Sequence, residues 1–234
     1  MLYFKSEFRH RWVLFLSAAI LLGIFSFSGA IQGEPETGPV GVGPFSRMSM
    51  TLVKSVLFVP VNVLDLDVHF GFETTKRFQA LAHGQEFDPS LADSIAEAAT
   101  HSQDAYIRLR FLRNISLNRF IEGTLKNARK VYEADIITKD TFEEIAAALP
   151  TLYSELKTRG IKKHDLMLYR IHDDGFRTIY RGVDGTIYLD QQNYETQHRL
   201  ALLGGYFVSK SEFREHLIHS LFLPAQSPSL DLLR

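Results

Sequence analysis

The segment 106–127, YIRLRFLRNISLNRFIEGTLKN, changes its hydrophobic period half-way along. Its first half alternates apolar residues with Arg108 and Arg110, which is the pattern of a strand that buries one face. From Ser116 onward the apolar residues recur at helical spacing, and Ser116 is placed to cap the first turn. The segment therefore predicts a strand that passes into an amphipathic helix within a few residues. The residues after this joint must fold as sheet and helix packed against it.

The composition excludes several classes of site. The 234 residues carry 26 basic and 27 acidic side chains, a net charge of −1, which leaves no electrostatic footprint for nucleic acid. The chain has no cysteine, so disulfides, thiol catalysis, iron–sulfur clusters and thiolate zinc sites are excluded. The 18 phenylalanines are consistent with ordinary core filling or with a lipophilic cavity.

The N-terminal segment 1–31 has the pattern of a signal or a transmembrane helix. Lys5, Arg9 and Arg11 precede residues 12–31, which carry no charge and are about long enough to cross a bilayer as a helix. The positive flank predicts a cytoplasmic N-terminus and an exported domain. Two alternatives stay open: a retained anchor with the domain on the periplasmic side, or a signal peptide cleaved after the small residues 28–30, which leaves the domain in the periplasm.

The rest of the chain divides by composition into three parts. Residues 32–45 form a linker, since four glycines and three prolines within 32–44 hold neither a helix nor a central strand. Residues 46–224 have the pattern of one folded domain, and residues 225–234 are predicted to be a loose tail.

Early in this domain, β-branched and aromatic residues predict two strands, at 52–59 and 61–70, with a break in the ladder at Pro60. In the second strand, apolar residues alternate strictly with polar ones. The polar residues of this strand are Asp65, Asp67 and His69. An exposed strand face explains them, and a metal site is the alternative.

Helices are predicted on both sides of the central joint. One spans 73–84, and another begins at Asp88, where the acid caps and a proline follows. A capping box at 141–144 begins a helix that Gly160 closes, with a kink or a break at Pro150. Near the end of the domain, the predicted helical segments are an apolar patch at 200–207 and a helix that begins at a capping box at 209–212 and ends at Pro224.

Between these helices lies a predicted meander of three strands, at 164–171, 176–181 and 186–190. Its turns, 173–175 and 183–185, each carry a glycine where a positive φ is required. Both faces of the first strand are largely apolar, so we expect it to lie inside the sheet, covered on at least one side by helices.

Three segments in this order resemble the chalcone isomerase-like family, in particular its bacterial members. They are RLRFLRNISLNRFIEGTLKN at 108–127, DLMLYRI to TIYLD within 165–190, and LALLGGYFVSKSEFREHLIHSL at 200–221. The resemblance covers about residues 88–221. It implies an α+β fold, in which an open-faced antiparallel sheet is covered by helices on one side, with a lipophilic cleft between the two layers.

The resemblance does not extend to a catalytic site. Where the family's enzymes place a tyrosine and an asparagine, at the start of the second helix, this chain has Asp140, Thr141 and Phe142. No nucleophile, nucleotide or metalloprotease motif occurs, and His216 and His219 lack a third metal ligand. We therefore assign no catalytic residues, and we predict no metal and no cofactor.

Five residues are instead candidates for binding a ligand. Arg47, Arg108 or Arg110 could meet a carboxylate at the mouth of the cleft, because a guanidinium binds two oxygens. Tyr169 and Tyr180 recur through the meander and could line the cleft, although tyrosines in a sheet need no such role.

The sequence supports three hypotheses for the function. The leading one is the binding of a hydrophobic anion such as a fatty acid by an exported or membrane-anchored protein. The second is an intramolecular lyase, an isomerase that acts on a chalcone-like enone, and it requires an acid or base in the cleft. The third is a structural or interaction module with a filled core and no ligand.

Overall fold

The computed structural model describes residues 46–56 and 58–223, which form an α+β domain. The strands are β1 Arg47–Val56, β2 Val59–Phe70, β3 Ala105–Phe111, β4 Leu166–His172, β5 Gly175–Arg181 and β6 Ile187–Asn193. The helices are α1 Phe72–Ala82, α2 Pro89–Thr100, α3 Leu117–Glu133, α4 Lys139–Leu152, α5 Thr196–Phe207 and α6 Arg214–His219. Short 3₁₀ helices follow α4 and α6, at Ser154–Leu156 and Ser220–Phe222.

Several sequence predictions fall outside this range. The signal or transmembrane segment 1–31, the linker 32–45 and the tail 225–234 lie outside the described residues. Among the helices that the structure does describe, none combines the length and the hydrophobicity that a bilayer span requires.

The six strands form one antiparallel sheet in the order β1-β2-β3-β4-β5-β6, so every strand pairs with its neighbours along the chain. The predicted meander is confirmed, and β4 lies inside the sheet between β3 and β5. Gly185 has the expected positive φ of 83°. The positive φ predicted for Gly175 is wrong, and this glycine is needed because a Cβ there would overlap the carbonyl oxygen of Asn193.

The joint between strand and helix forms as predicted. β3 ends at Phe111 and α3 begins at Leu117, with the hydroxyl of Ser116 accepting a hydrogen bond from the backbone N–H of Arg119 at 3.4 Å. Ile107 and Phe111 of β3 are fully buried, while Arg110 is exposed. The change of period therefore turns the chain from the sheet into the layer that covers it.

The predicted break at Pro60 is wrong. β2 is one strand from Val59 to Phe70, and Pro60 pairs with Ser55 of β1. β3 pairs with β2 only from Leu64 onward, so no described strand needs an N–H from Pro60 on that side. A proline is tolerated at such an edge.

The start of α4 also differs from its prediction. Thr138, not Thr141, is the cap, because its hydroxyl accepts a hydrogen bond from the backbone N–H of Thr141 at 3.2 Å. The helix continues through Pro150 to Leu152 without a break. Pro150 has no N–H to donate to the carbonyl of Ala146, and the helix ends two residues later.

The capping box predicted at 209–212 does not form. α6 begins only at Arg214, and no side chain caps it. The hydroxyl of Ser211 instead donates a hydrogen bond to the carbonyl of Gly205 at 2.8 Å, which ties this loop back to α5.

The core lies between one face of the sheet and the helices. Phe70 of β2 is fully buried, with ring centroids 4.9 Å from Phe78 of α1 and 6.0 Å from Phe207 of α5. The other face carries ion pairs that are open to solvent, such as that between Arg177 of β5 and Asp190 of β6. Among the described residues, helices therefore cover one side of the sheet, as expected.

Candidate functional site

A cavity of about 1380 Å³ lies between the covered face of the sheet and helices α3, α4 and α5. Its floor comes from every strand of the sheet, and its roof from the three helices. Representative floor residues are Leu52, Leu64, Leu109, Phe111, Tyr169, Thr178 and Gln191, and representative roof residues are Phe120, Gly123, Ile145, Leu149, Leu202 and Gly205. Most of this lining is apolar, so the cavity suits a hydrophobic ligand.

Packed aromatic rings form one wall of the cavity. The ring of Phe120 on α3 lies edge-on to Phe111 of β3 and to Tyr153 after α4, with centroids 5.9 and 5.3 Å apart. Phe111 and Tyr153 are buried. Such edge-to-face contacts favour one arrangement of the rings, so this wall is shaped before any ligand binds.

Gly123 lies at an exposed part of the roof. It lies within α3 and lines the cavity, and a Cβ built on it would meet no atom within 4 Å. A glycine inside a helix costs about 1 kcal/mol relative to alanine. Space here is therefore maintained at some cost to the stability of α3.

One rim of the cavity is basic. Its exposed charged residues are Lys54, Arg113, Arg119, Lys126 and Glu212, four cations and one anion, which gives a net charge of +3. Glu212 pairs with Lys54. Within the described part of the chain, no carboxylate forms an ion pair with Arg113, Arg119 or Lys126. This basic rim can therefore receive an anionic group from a ligand.

Lys130, one turn after Lys126 on α3, adds to the positive potential near this rim. Burial is the main reason that the pKa of Lys130 is lowered, and the charges of Lys126 and Lys54 lower it further while Glu212 raises it. These four groups therefore lie close enough to sense one another.

The cavity also reaches the surface at a second, uncharged rim. Ala148 and Thr151 of α4 and Gln191 of β6 line it there and are exposed. Lys54 of the basic rim is on β1, at the other edge of the sheet. Six strands at the usual spacing of about 4.8 Å place the two edges about 24 Å apart. The cavity thus crosses the sheet from edge to edge, like a channel for an extended chain.

Buried hydroxyls supply the polar groups inside. The hydroxyls of Tyr153 and Tyr169 lie 3.5 Å apart, at the limit of a hydrogen bond, and Thr178 and Tyr206 also line the cavity. Burial raises the pKa of Tyr169 to about 12. At neutral pH these groups are uncharged donors and acceptors.

The structure places the predicted arginines on the open face of the sheet. Arg108 contacts Asp67 with Nη2 and Oδ2 2.7 Å apart, and Arg47 contacts the other oxygen of the same carboxylate. Arg110 contacts Asp65 at 2.6 Å. Burial raises the pKa of Asp67, but the hydrogen bonds from the two arginines outweigh it, and the pKa is lowered. None of the three arginines lines the cavity.

The two predicted tyrosines have different places. Tyr169 lines the cavity. Tyr180 lies outside the cavity lining, and its hydroxyl donates a hydrogen bond to Asp165 at 2.5 Å. The structure therefore brings one of the five candidate residues to the cavity.

Asp65, Asp67 and His69 were the alternative metal site on β2. Asp65 and Asp67 instead accept hydrogen bonds from arginines. Among the described residues, the carboxylate and imidazole groups that could together hold a metal are those of His172, Asp173 and Asp174, in the turn after β4. His172 contacts Asp174 through Nδ1 and Gln192 through Nε2, both at 2.6 Å.

Comparison with known proteins identifies the fold. No family model and no curated protein matches the sequence. Among solved structures, the Arabidopsis thaliana fatty-acid binding protein AtFAP1 matches with a TM-score of 0.53 over 79% of this chain and 89% of its own, at 12% identity. The fold is that of the chalcone isomerase-like proteins. At this identity the likeness shows the fold alone.

The chalcone isomerase-like fold of this chain carries site residues that the sequence reasoning missed. The predicted segment 106–127 contains Arg113, Arg119 and Lys126. Nothing in its hydrophobic pattern distinguished these three residues from other surface cations. Gly123 was a usable signal, because a glycine within a strongly amphipathic helix requires a local reason.

Proposed function

We propose that this protein binds a single-chain hydrophobic anion of the fatty-acid type, without converting it chemically. The observation that carries the proposal is an apolar cavity whose exposed rim bears three cations, Arg113, Arg119 and Lys126, without a carboxylate partner among the described residues. The alkyl chain would lie in the cavity and the carboxylate at the basic rim.

The energetics favour such a ligand. Each buried methylene contributes about 0.8 kcal/mol, so a long chain supplies most of the affinity through the hydrophobic effect. An ion pair with an exposed cation of the rim adds up to about 1 kcal/mol and sets the orientation of the ligand. AtFAP1, which shares the fold, is a fatty-acid binding protein, and this supports the proposal at the level of the fold.

The alternatives receive less support. An intramolecular lyase needs a group in the cleft that exchanges protons near neutral pH. Burial raises the pKa values of the lining residues Tyr153, Tyr169 and Tyr206, which moves them away from that range. His198 also lines the cavity, but its Nδ1 is 2.9 Å from the side-chain amide of Asn193 and its Nε2 is 3.6 Å from a carboxylate oxygen of Glu144, so both ring nitrogens already face protein groups. A ligand-free module with a filled core does not account for about 1380 Å³ of space. Export or anchoring through residues 12–31 is a separate proposal from the sequence, which cell fractionation tests.

Calorimetric titration of the full chain with dodecanoate tests the proposed function. We expect saturable binding that Arg119→Gln and Lys126→Gln each weaken about threefold, as expected for the loss of about 0.7 kcal/mol at an exposed cation. Arg110→Gln is the matched control, because this arginine lies on the open face and should leave the affinity unchanged. Dodecanol, which lacks the charge, should bind all four proteins alike.

The proposal is wrong if dodecanoate does not bind. If Arg110→Gln weakens binding and the two α3 variants do not, the carboxylate binds at the open face, where the alternation of β3 places this arginine.

A further inference from the structure

The hairpin of β1 and β2 extends beyond the rest of the sheet. β3 pairs with β2 from Leu64 onward, and the backbone N–H of Leu112 still reaches the carbonyl of Val63. The hairpin continues past this point to its turn at Phe58. At the usual rise of about 3.3 Å per residue, Phe58 lies roughly 16 Å beyond Val63.

The outer part of this hairpin exposes apolar side chains. Phe58 is fully exposed, and Val59 and Val53 are 60% and 49% exposed. Phe58 also has a positive φ of 66°, which is unusual for a bulky residue. Polar residues normally occupy such a turn, so an exposed phenylalanine at this position indicates contact with an apolar environment.

One face of this hairpin tip, which we define as Val53, Phe58 and Val59, leads to the cavity, whereas Val53 lies on the other face because it is next to Lys54 on β1. Lys54 lines the cavity at its basic rim and lies directly opposite Val61. Val59 is two residues nearer the turn, so it shares the face of the hairpin that leads into the cavity. A molecule leaving the basic rim would pass along this face.

The charge around the tip is positive. No acidic residue occurs from residue 46 to residue 64. The cations of the basic rim, Arg113, Arg119 and Lys126, lie at the base of the hairpin, and the acid of the rim, Glu212, is already paired with Lys54. An apolar tip with cations at its base complements a surface that is negative outside and apolar just beneath.

We propose that the hairpin tip inserts into the headgroup region of an anionic lipid bilayer, with the basic rim against the lipid phosphates. Apolar side chains beside lysine and arginine are the combination by which peripheral segments bind such surfaces. This docking goes beyond the proposed function, because it places the entrance of the cavity at the bilayer, where a single-chain lipid can move between the two without crossing water.

The absence of cysteine allows a local test. Full-length Phe58→Cys is labelled with an environment-sensitive fluorophore and mixed with vesicles of phosphatidylcholine, with or without phosphatidylglycerol. Asp174→Cys is the matched control, because the register of β2, β3 and β4 places the turn after His172 at the opposite end of the sheet. The signal is local, so contact of residues 12–31 with lipid does not produce it.

We expect a blue shift and a severalfold rise in emission at position 58 with the anionic vesicles only, lost in high salt or with Arg119→Glu and Lys126→Glu together. Equal shifts at both positions, no shift at position 58, or the same shift with neutral vesicles would each overturn the proposal. A shift that appears without lipid and grows with protein concentration would also overturn it, since a second copy would then cover the tip. No fatty acid is added, so the outcome is independent of the dodecanoate titration.

Discussion

At the scale of single residues, Asp165 shows how a buried charge joins the two layers of the domain. Its side chain is fully buried and accepts hydrogen bonds from the hydroxyl of Tyr180, the backbone N–H of Lys162 and Nη2 of Arg159, at 2.5, 2.7 and 2.8 Å. The guanidinium of Arg159 also lies 4.4 Å from the ring centre of Tyr188. The carboxylate therefore fixes the loop after α4 to β5 and to the chain that follows it.

This network predicts how the free energy of unfolding falls at acid pH. Burial raises the pKa of Asp165, but the hydrogen bonds from Arg159 and Tyr180 outweigh it and lower the pKa from 3.8 to about 2. The folded state thus binds the proton less tightly than the unfolded state. The stabilisation is present above pH 3.8 and is lost as the pH falls toward about 2.

Denaturant unfolding of Asp165→Asn as a function of pH measures this contribution. We expect a loss of about 3 kcal/mol at neutral pH, because Arg159 keeps its charge without a partner, and a flatter acid limb. Asp174→Asn, at an exposed position, should change the free energy of unfolding by no more than about 0.5 kcal/mol at either neutral or acid pH. An acid limb as steep as that of the natural protein would show that Asp165 does not titrate in this range.

Residue patterns alone could not identify the cations of the site. Alternation correctly placed Arg108 and Arg110 on the polar face of β3. The local sequence pattern did not indicate that the helices cover the other face. Their partners, Asp65 and Asp67, lie about 40 positions earlier on β2, and only the strand register brings them together.

At the scale of elements, the glycines of α3 and α5 make opposite predictions. Both Gly123 and Gly204 lie inside helices, where alanine is the better helix former by about 1 kcal/mol. A Cβ at Gly123 meets nothing within 4 Å, whereas a Cβ at Gly204 would lie 2.9 Å from Cγ1 of Val131. We expect Gly123→Ala to stabilise the protein by about 0.5–1 kcal/mol and Gly204→Ala to destabilise it.

Urea unfolding of the two variants decides this comparison. Because the helix-propensity gain is the same in both, the difference between them isolates the contact with Val131. Stabilisation by Gly204→Ala to the same extent would mean that α3 and α5 do not pack closely at Val131.

Sequence patterns predicted the elements well wherever the structure depends only on residues that are near one another in the chain. The joint at Ser116 and the turn at Gly185 depend on local backbone chemistry, and both form as expected. Pro60 differs because its outcome depends on a neighbouring strand, and Thr138 differs because a second local cap lies three residues before the predicted one. Pro60 is tolerated since β3 stops short of it, and Thr138 precedes the box that the sequence suggested.

At the scale of the whole molecule, the cavity is a property of the layers and not of any one element. The sequence predicted an antiparallel sheet beneath helices, and the fold-level match to AtFAP1 agrees with it. The volume between the layers depends on how far α3 and α4 stand from the sheet, which side-chain periodicity does not encode. A lipophilic cleft was therefore expected only through the resemblance, whereas its two rims emerged from the structure.

The distance between the two rims limits the length of the alkyl chain that the cavity can hold. A straight-chain carboxylate anchored at the basic rim would extend toward the uncharged rim at β6, about 24 Å away by strand spacing. Each added methylene should then increase the affinity about fourfold, corresponding to about 0.8 kcal/mol, until the chain reaches the far rim. Binding should also show a negative heat-capacity change, because apolar surface leaves water.

Calorimetry with straight-chain acids from octanoate to docosanoate tests this expectation, and Gly123→Leu supplies the comparison. A leucine at this position would extend into the open space of the roof, so the increase should level off at a shorter chain while the affinity for octanoate stays within a few-fold. An affinity that does not depend on chain length would mean that the alkyl chain stays outside the cavity. An unchanged length limit in Gly123→Leu would mean that the chain follows another path between the helices and the sheet.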